Sequence, residues 1–293
     1  MENLTKDYLE LSKKIPLDDS IKFTLILNLL AVKHSIRDAF CWIAPEFPNK
    51  ADYEGHWSKF DIECDGSRLH LLILQNICTD LGLEMELVDA RHHMHFNHIL
   101  IKKTFPKILD SDIEQIEKNI FSKMATFWIS SKSIMNHIKN HNDLHNYEIS
   151  KILMYPSCCG NWFVDTKTQL LINIIHEHLH EHNVFRELIG SDFDSETIFT
   201  NAKTRSNLIN YCIQKFENGE IIQNEKFKEE MYSNAEKSSK KFPFVFHNAV
   251  CPDCMTDLDS PTMKLDKKYG DFAKKINLEL FEYLQKNSVN TNI

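Results

Sequence analysis

Two pairs of cysteines carry the clearest chemical signal in this chain. Cys158 and Cys159 are adjacent in Tyr155-Pro156-Ser157-Cys158-Cys159-Gly160, and Cys251 and Cys254 bracket Pro252 and Asp253 in a Cys-x-x-Cys knuckle. Thiolates are soft ligands suited to zinc or an iron–sulfur cluster, and a Cys-x-x-Cys turn aims two sulfurs at one metal. A second pair about ninety residues away would complete a four-ligand site. Adjacent side chains tend to diverge, so a single small ion favours one of Cys158 and Cys159 joining Cys251 and Cys254, with His247 as the remaining ligand or a group behind the ligands. A larger cluster accepts both. The competing readings are small buried residues for the adjacent pair and a redox dithiol for the knuckle. Cys41, Cys64, Cys78 and Cys212 read as ordinary core residues.

The 15 histidines form further clusters. His176-Glu177-His178-Leu179-His180-Glu181-His182 contains both His-Glu-x-x-His and its inverse, each of which puts two imidazoles one helical turn apart beside a carboxylate. Leu171, Ile174, Ile175, Phe185 and Ile189 define the apolar face of that helix at 100° per residue, and His178 and His182 fall inside it. His176 and His180 fall nearly opposite, toward water. A metal on this helix would therefore use His178 and His182, with Glu181 as the base; core histidines beside a solvated His/Glu face is the plainer reading. In Arg91 to His98, strand periodicity puts His93 and His95 on one face. His137, His141 and His145, spaced by four, would form a stripe on a helix.

Several function classes are disfavoured by composition. A net charge of -8 over 293 residues opposes nonspecific nucleic-acid binding, and Lys237, Lys240 and Lys241 share their neighbourhood with Glu229, Glu230 and Glu236. The longest apolar run, Phe23 to Val32, is too short to span a bilayer. With seven glycines there is no Gly-x-Gly-x-x-Gly and no phosphate-binding Gly-rich loop. Met1 to Ser12 lacks the pattern of a secretory signal, so the expected compartment is the cytoplasm, where thiols stay reduced and paired cysteines favour metal or redox work. The expected partner is a small molecule or another protein, with neither nucleic acid nor membrane involved.

The elements that must position these groups follow from periodicity and turn signals. Helices are expected over 5–15, 18–44, 69–81 (stopped at Gly82), 112–130, 134–153, 166–189, 204–216, 226–241 and 265–285. Strands are expected at 58–64 and as a hairpin of 84–89 with 94–101. The chain is α+β, predominantly helical, with a small antiparallel sheet or hairpin. A soft boundary at Phe105-Pro106 would separate 1–105, helical with the hairpin, from 106–293, which carries both cysteine pairs; one continuous domain is the alternative.

Tyr155-Pro156-x-Cys158-Cys159, followed by His247, Cys251-x-x-Cys254, Ser260 and Leu265 before a helix, resembles an uncharacterised prokaryotic family with a Tyr-Pro-x-Cys-Cys motif and a later His/Cys/Cys motif. The resemblance covers roughly 145–285. This chain departs from the family pattern by one fewer spacer residue between the later cysteines and by a His further from the first of them. The resemblance implies a shared cysteine site and no particular reaction. Heterodisulfide-reductase-like domains also use Cys-Cys-Gly, but with shorter spacing and a further upstream cysteine that residues 79–157 lack.

The expected function is therefore a cytoplasmic metal-binding protein with a cysteine-thiolate site for zinc or an iron–sulfur cluster. Its alternatives are a zinc-dependent hydrolase on helix 176–182 and a noncatalytic protein with a structural zinc knuckle.

Overall fold

A computed structural model of the chain describes residues 2–43, 61–64, 67–93, 95–140, 146–189, 195–217, 234, 237–245 and 250–287. It is predominantly helical with small antiparallel sheets, as the sequence predicts. The chain divides into two compact units, neither of them continuous: Met1–Arg91, Lys123–Cys159 and Met231–Ile293 form the first, and His92–Ser122 with Gly160–Glu230 form the second. Both cysteine pairs belong to the first unit.

In the first unit α1 (Glu2–Lys14) and α2 (Asp19–Lys33) open the chain. Leu25, Ile26, Leu27, Leu29 and Leu30 are all buried, so α2 is enclosed on nearly every side. A helix apolar all round is a core helix rather than an amphipathic surface one. Among its described side chains the buried polar ones are Thr24 and Asn28, and Asn28 donates through Nδ2 to the Thr24 carbonyl at 3.0 Å. The helix expected over 18–44 stops at Lys33. Ser35 takes φ 54°, its N–H bonds Val32 O, and the Ile36 N–H reaches back to Ala31 O. That is a Schellman ending with serine where glycine is usual.

The chain then turns into β1 (Ala39–Ile43), which pairs antiparallel with β5 (Phe121–Ser130), and β5 neighbours β4 (Glu84–His93) in a three-stranded sheet. A two-stranded antiparallel ribbon joins β2 (Asp61–Cys64) to β3 (Ser67–His70), and α3 (Leu71–Asp80) ends at Gly82 with φ 73°. After β5 come α6 (Lys132–Asn140) and α7 (Asn146–Ile152); residues 141–145, with His141 and His145 of the proposed stripe, lie outside the described residues. Trp128, Met135, Ile138, Ile152 and Leu153 form a small core here, with Tyr155 packed against it. The unit closes with α11 (Pro252–Thr256), α12 (Pro261–Ile276) and α13 (Leu278–Asn287). Phe272, Ile276, Leu280 and Leu284 are buried there, and Tyr283 meets Phe23 of α2 edge-on at 4.8 Å.

The second unit holds α4 (His98–Thr104), α5 (Asp110–Asn119), the body of α8 (Ser157–Ile189), α9 (Ser195–Thr200) and α10 (Ala202–Glu217). Its core is built from Ile101, Phe105, Ile113 and Ile116 with Leu171, Ile175, Leu208 and Cys212. The strand expected at 94–101 is corrected: Asn97 caps α4 by accepting from the Leu100 N–H at 3.2 Å, which commits the segment to helix. The partner of β4 in the sheet is instead β5, so the helix expected over 112–130 is corrected to α5 followed by a strand. His93 ends β4, and His95 lies beyond it in the link to α4, so the two do not share a strand face.

Gly270 of α12 shows how tightly this end is packed. A Cβ there would sit 3.0 Å from two ring carbons of Phe244. That ring cannot retreat easily, because it stacks on Phe281 at 5.2 Å and its backbone N–H is tied to Asp266 Oδ1 at 2.8 Å. Gly270→Ala gains up to about 1 kcal/mol of helix propensity but overpacks at a cost of roughly 1–3 kcal/mol. The expected result is a net loss of stability, read as a lower urea midpoint with an unchanged slope.

Candidate metal centre

The segment before the adjacent cysteines is set by a second Schellman ending. Met154 takes φ 58°, its N–H bonds Lys151 O, and the Tyr155 N–H bonds Ser150 O at 2.7 Å. Ser35 and Met154 are the non-glycine residues with positive φ among those described, and the conformation costs such residues about 1–2 kcal/mol. Pro156 follows, and its carbonyl accepts the Cys159 N–H at 3.0 Å. The Tyr-Pro-x-Cys-Cys-Gly stretch is therefore the start of α8 itself, nine residues earlier than the 166 predicted, and the cysteines occupy its first turn.

The second pair is also placed by a helix start. Cys251 is the N-cap of α11, Pro252 takes the first helical position, where its missing N–H costs nothing, and Cys254 lies one turn on. Ser260 caps α12: its Oγ accepts from the Met263 N–H at 3.2 Å and donates to the Cys254 carbonyl at 3.3 Å. This puts Thr262, fully buried, beside the sulfurs.

All four sulfurs converge. Cys158, Cys159, Cys251 and Cys254 place their Sγ atoms within 4.8 Å of one another, a group that could hold a metal ion. Cys158 Sγ is 3.4 Å from Cys254 Sγ, and Cys159 Sγ is 3.8 Å from Cys251 Sγ. The expectation that adjacent side chains would send only one sulfur to the site is corrected: each member of the first pair meets a different member of the second. The Cys251 N–H points at Cys159 Sγ at 3.4 Å, and Thr262 Oγ1 is also 3.4 Å from that sulfur. Cys159, Cys251 and Cys254 are buried, while Cys158 is half-buried.

Cys158, Cys159 and Cys254 are protonated unevenly. Burial and the neighbouring Cys254 push the Cys158 thiol up to about 11, and burial pushes Cys159 higher still. Burial works against Cys254 too, yet the Thr262 hydroxyl and backbone N–H and the Cys158 and Cys251 thiols hold it down at about 7. One thiolate is thus stabilised in the group, and each further one would form against its charge. A cation at the centre removes that repulsion, so the donor set fits a thiophilic metal.

His178, Glu181 and His182 belong to the second unit. His247 lies outside the described residues. His178 is buried as predicted; its ring contacts His182 at 4.4 Å and Tyr211 at 4.6 Å, and its Nε2 has no hydrogen-bond partner. Among the described residues no third side chain joins His178 and His182 within reach of one ion. Glu181 instead accepts from the Tyr211 hydroxyl at 3.4 Å. His176 and His180 are exposed, as the wheel predicts, and with Phe105, Glu177, Glu181 and Phe199 they line an open cleft of about 980 Å³. A strand at 94–101 could not foresee that cleft, because the α4–α5 turn forms one wall of it. His95 and His98 approach the buried Glu117 at 3.8 and 3.2 Å, a pairing the strand reading also hides.

No protein-family model matches this chain, no curated protein matches its sequence, and no solved structure matches its fold.

Burial, then the charge of His182, lowers His178 from 6.5 to about 4. Folding therefore favours the neutral ring, and its contribution is present above pH 6.5 and lost as pH falls toward 4. His178→Leu should flatten this acid limb of the stability profile, measured as the unfolding midpoint against pH; a limb of unchanged steepness would exclude His178 as its source.

Proposed function

We propose that the four thiolates hold a single zinc ion in a closed tetrahedral site, and that the protein is a metal-binding protein of a reducing, cytoplasmic compartment. The observation that carries this is the mutual 4.8 Å limit on the four sulfurs. A tetrahedral ion with zinc–sulfur bonds of about 2.3 Å separates its sulfurs by roughly 3.8 Å. The contacts of 3.4 and 3.8 Å bracket that edge. An iron–sulfur cluster spreads its thiolates over several irons and needs a wider set.

Four protein ligands leave no open position, which favours a structural centre over a catalytic one. Such a centre would pin the start of α8 to α11 and α12, the arrangement of a structural knuckle. Cys41, Cys78, Cys158, Cys159, Cys212, Cys251 and Cys254 are free of disulfides, which suits a reducing compartment. No described helix is long and apolar enough to cross a membrane. The partner in this reading is a small molecule or another protein. The same site would be shared with the Tyr-Pro-x-Cys-Cys family that the sequence resembles.

Protein purified anaerobically should be colourless and contain about one zinc per chain. Cobalt in its place should give the intense visible bands of a tetrahedral tetrathiolate. Broad visible absorption of the purified protein, lost in Cys251→Ser, would instead establish an iron–sulfur cluster. Cys254→Ser should abolish stoichiometric zinc. Thr262→Val, which keeps the volume and removes the hydroxyl beside the sulfurs, should weaken zinc by roughly 10–100-fold in a chelator competition.

A further inference from the structure

The four cysteines of the site are not equally reachable. Cys159, Cys251 and Cys254 are 1%, 3% and 2% exposed, whereas Cys158 is half-buried and has an appreciable share of its surface in solvent. It stands in the first turn of α8, and Cys254 Sγ lies 3.4 Å from its sulfur. The contact of Cys159 Sγ with Cys251 Sγ is longer, at 3.8 Å. Cys159 Sγ also meets the Cys251 N–H and the Thr262 hydroxyl, each at 3.4 Å. The site therefore has an outer sulfur pair with one member open to solvent, and an inner pair with both members enclosed.

Bound to zinc, all four cysteines are thiolates, so access rather than protonation separates them. Oxidation of a thiolate follows its exposure, which selects Cys158. A disulfide holds its sulfurs about 2.05 Å apart, so the outer pair has to close by about 1.4 Å. The other pairings are less favourable. Cys159 is the next residue on the same helix, about 100° round from Cys158, and its sulfur is held by Cys251 and Thr262. The knuckle pair, Cys251 and Cys254, is buried at both members.

Resting on the zinc reading of the four sulfurs, we propose that Cys158 is a hydroperoxide-reactive site and Cys254 its resolving partner, so that peroxide closes a Cys158–Cys254 disulfide and releases the ion. The Cys158 thiolate attacks one peroxide oxygen; the O–O bond breaks, hydroxide leaves, and Cys158 becomes a sulfenic acid. The Cys254 thiolate then attacks that sulfur; the S–O bond breaks, the S–S bond forms, and a second hydroxide leaves. Two protons from solvent convert both hydroxides to water. Peroxide accepts two electrons, one from each sulfur, and zinc keeps its charge throughout. The ion is left with Cys159 and Cys251, half of its ligands, and departs. The disulfide spans the same junction as the ion, from the start of α8 to α11, so oxidation exchanges one link for another. The redox pair lies across the two cysteine pairs and not within the Cys-x-x-Cys.

The test is a hydrogen peroxide titration of the zinc-loaded full chain, with released zinc read by a chelating dye and disulfides located by mass spectrometry of a non-reduced digest. One zinc should be released per Cys158–Cys254 link formed, and a dithiol reductant with added zinc should restore the site. In Cys158→Ser loaded with zinc, release by peroxide should slow at least about tenfold, because the remaining sulfurs are buried. If that variant does not hold zinc, the map of the parent chain decides. A link within the knuckle, a Cys159–Cys251 link, or sulfinic acid on Cys158 with no disulfide would overturn the proposal while leaving the zinc reading in place. A reduced chain that takes up no zinc would overturn the zinc reading itself, and the proposal with it.

Discussion

Four sulfurs held within one ion's reach repel as soon as more than one is charged, and the first unit is arranged around that constraint. Three helix starts converge on the sulfurs. The first turn of α8 brings Cys158 and Cys159, the cap and first turn of α11 bring Cys251 and Cys254, and the capped start of α12 brings Thr262. The side chains that fix these starts are themselves linked, since Ser260 ties the cap of α12 to the Cys254 carbonyl. Removing the reason for the sulfurs to meet would leave the starts of α8 and α11 with little else in common among the described contacts.

Burial elsewhere in the molecule pushes titratable groups toward neutrality. Cys41, Cys78 and Cys212 rise to about 12, Asp266 rises to about 6, Lys167 falls to about 8, and His178 falls to about 4. Cys254 runs the other way. The difference is not exposure, since Cys254 is buried, but the donors aimed at its sulfur. Cys254 is thus separated from the core cysteines by what its neighbours donate. This gives Cys254 a character that Cys78 and Cys212 lack, while Cys158 and Cys159 are raised as those two are.

Much of this was readable from the residues. The pairing of Cys158-Cys159 with Cys251 and Cys254, the inward turn of His178 and the stop at Gly82 follow from spacing, helical angle and glycine's freedom in φ. What failed had long-range or local backbone causes. Phe121 to Ser130 is rich in aromatic and β-branched residues around Thr126, Phe127, Trp128 and Ile129, a strand signal that the helical pattern of the preceding Ile113 and Ile116 obscured. Its partner β1 lies some eighty residues earlier, where no local pattern can indicate it. The α2–β1 break was hidden because Ser35, not glycine, makes the left-handed turn. The early start of α8 was hidden because Pro156 reads as a turn until it is placed just before a helix. The convergence of two adjacent sulfurs depended on that same misplaced start.

The order of the four clustered cysteines along the chain has a consequence for synthesis. Cys158 and Cys159 leave the ribosome 92 residues ahead of Cys251, and most of the second unit, Gly160–Glu230, is made in the interval. At roughly 5–20 residues per second the first two thiols wait about 5–20 s for their partners. During that time they belong to an incomplete first unit, which also lacks α12 and α13. The nascent chain therefore presents a vicinal dithiol to oxidants and stray metals before the knuckle that closes it exists. The length of that exposure is set by the order of the cysteines along the chain, apart from anything the finished protein does.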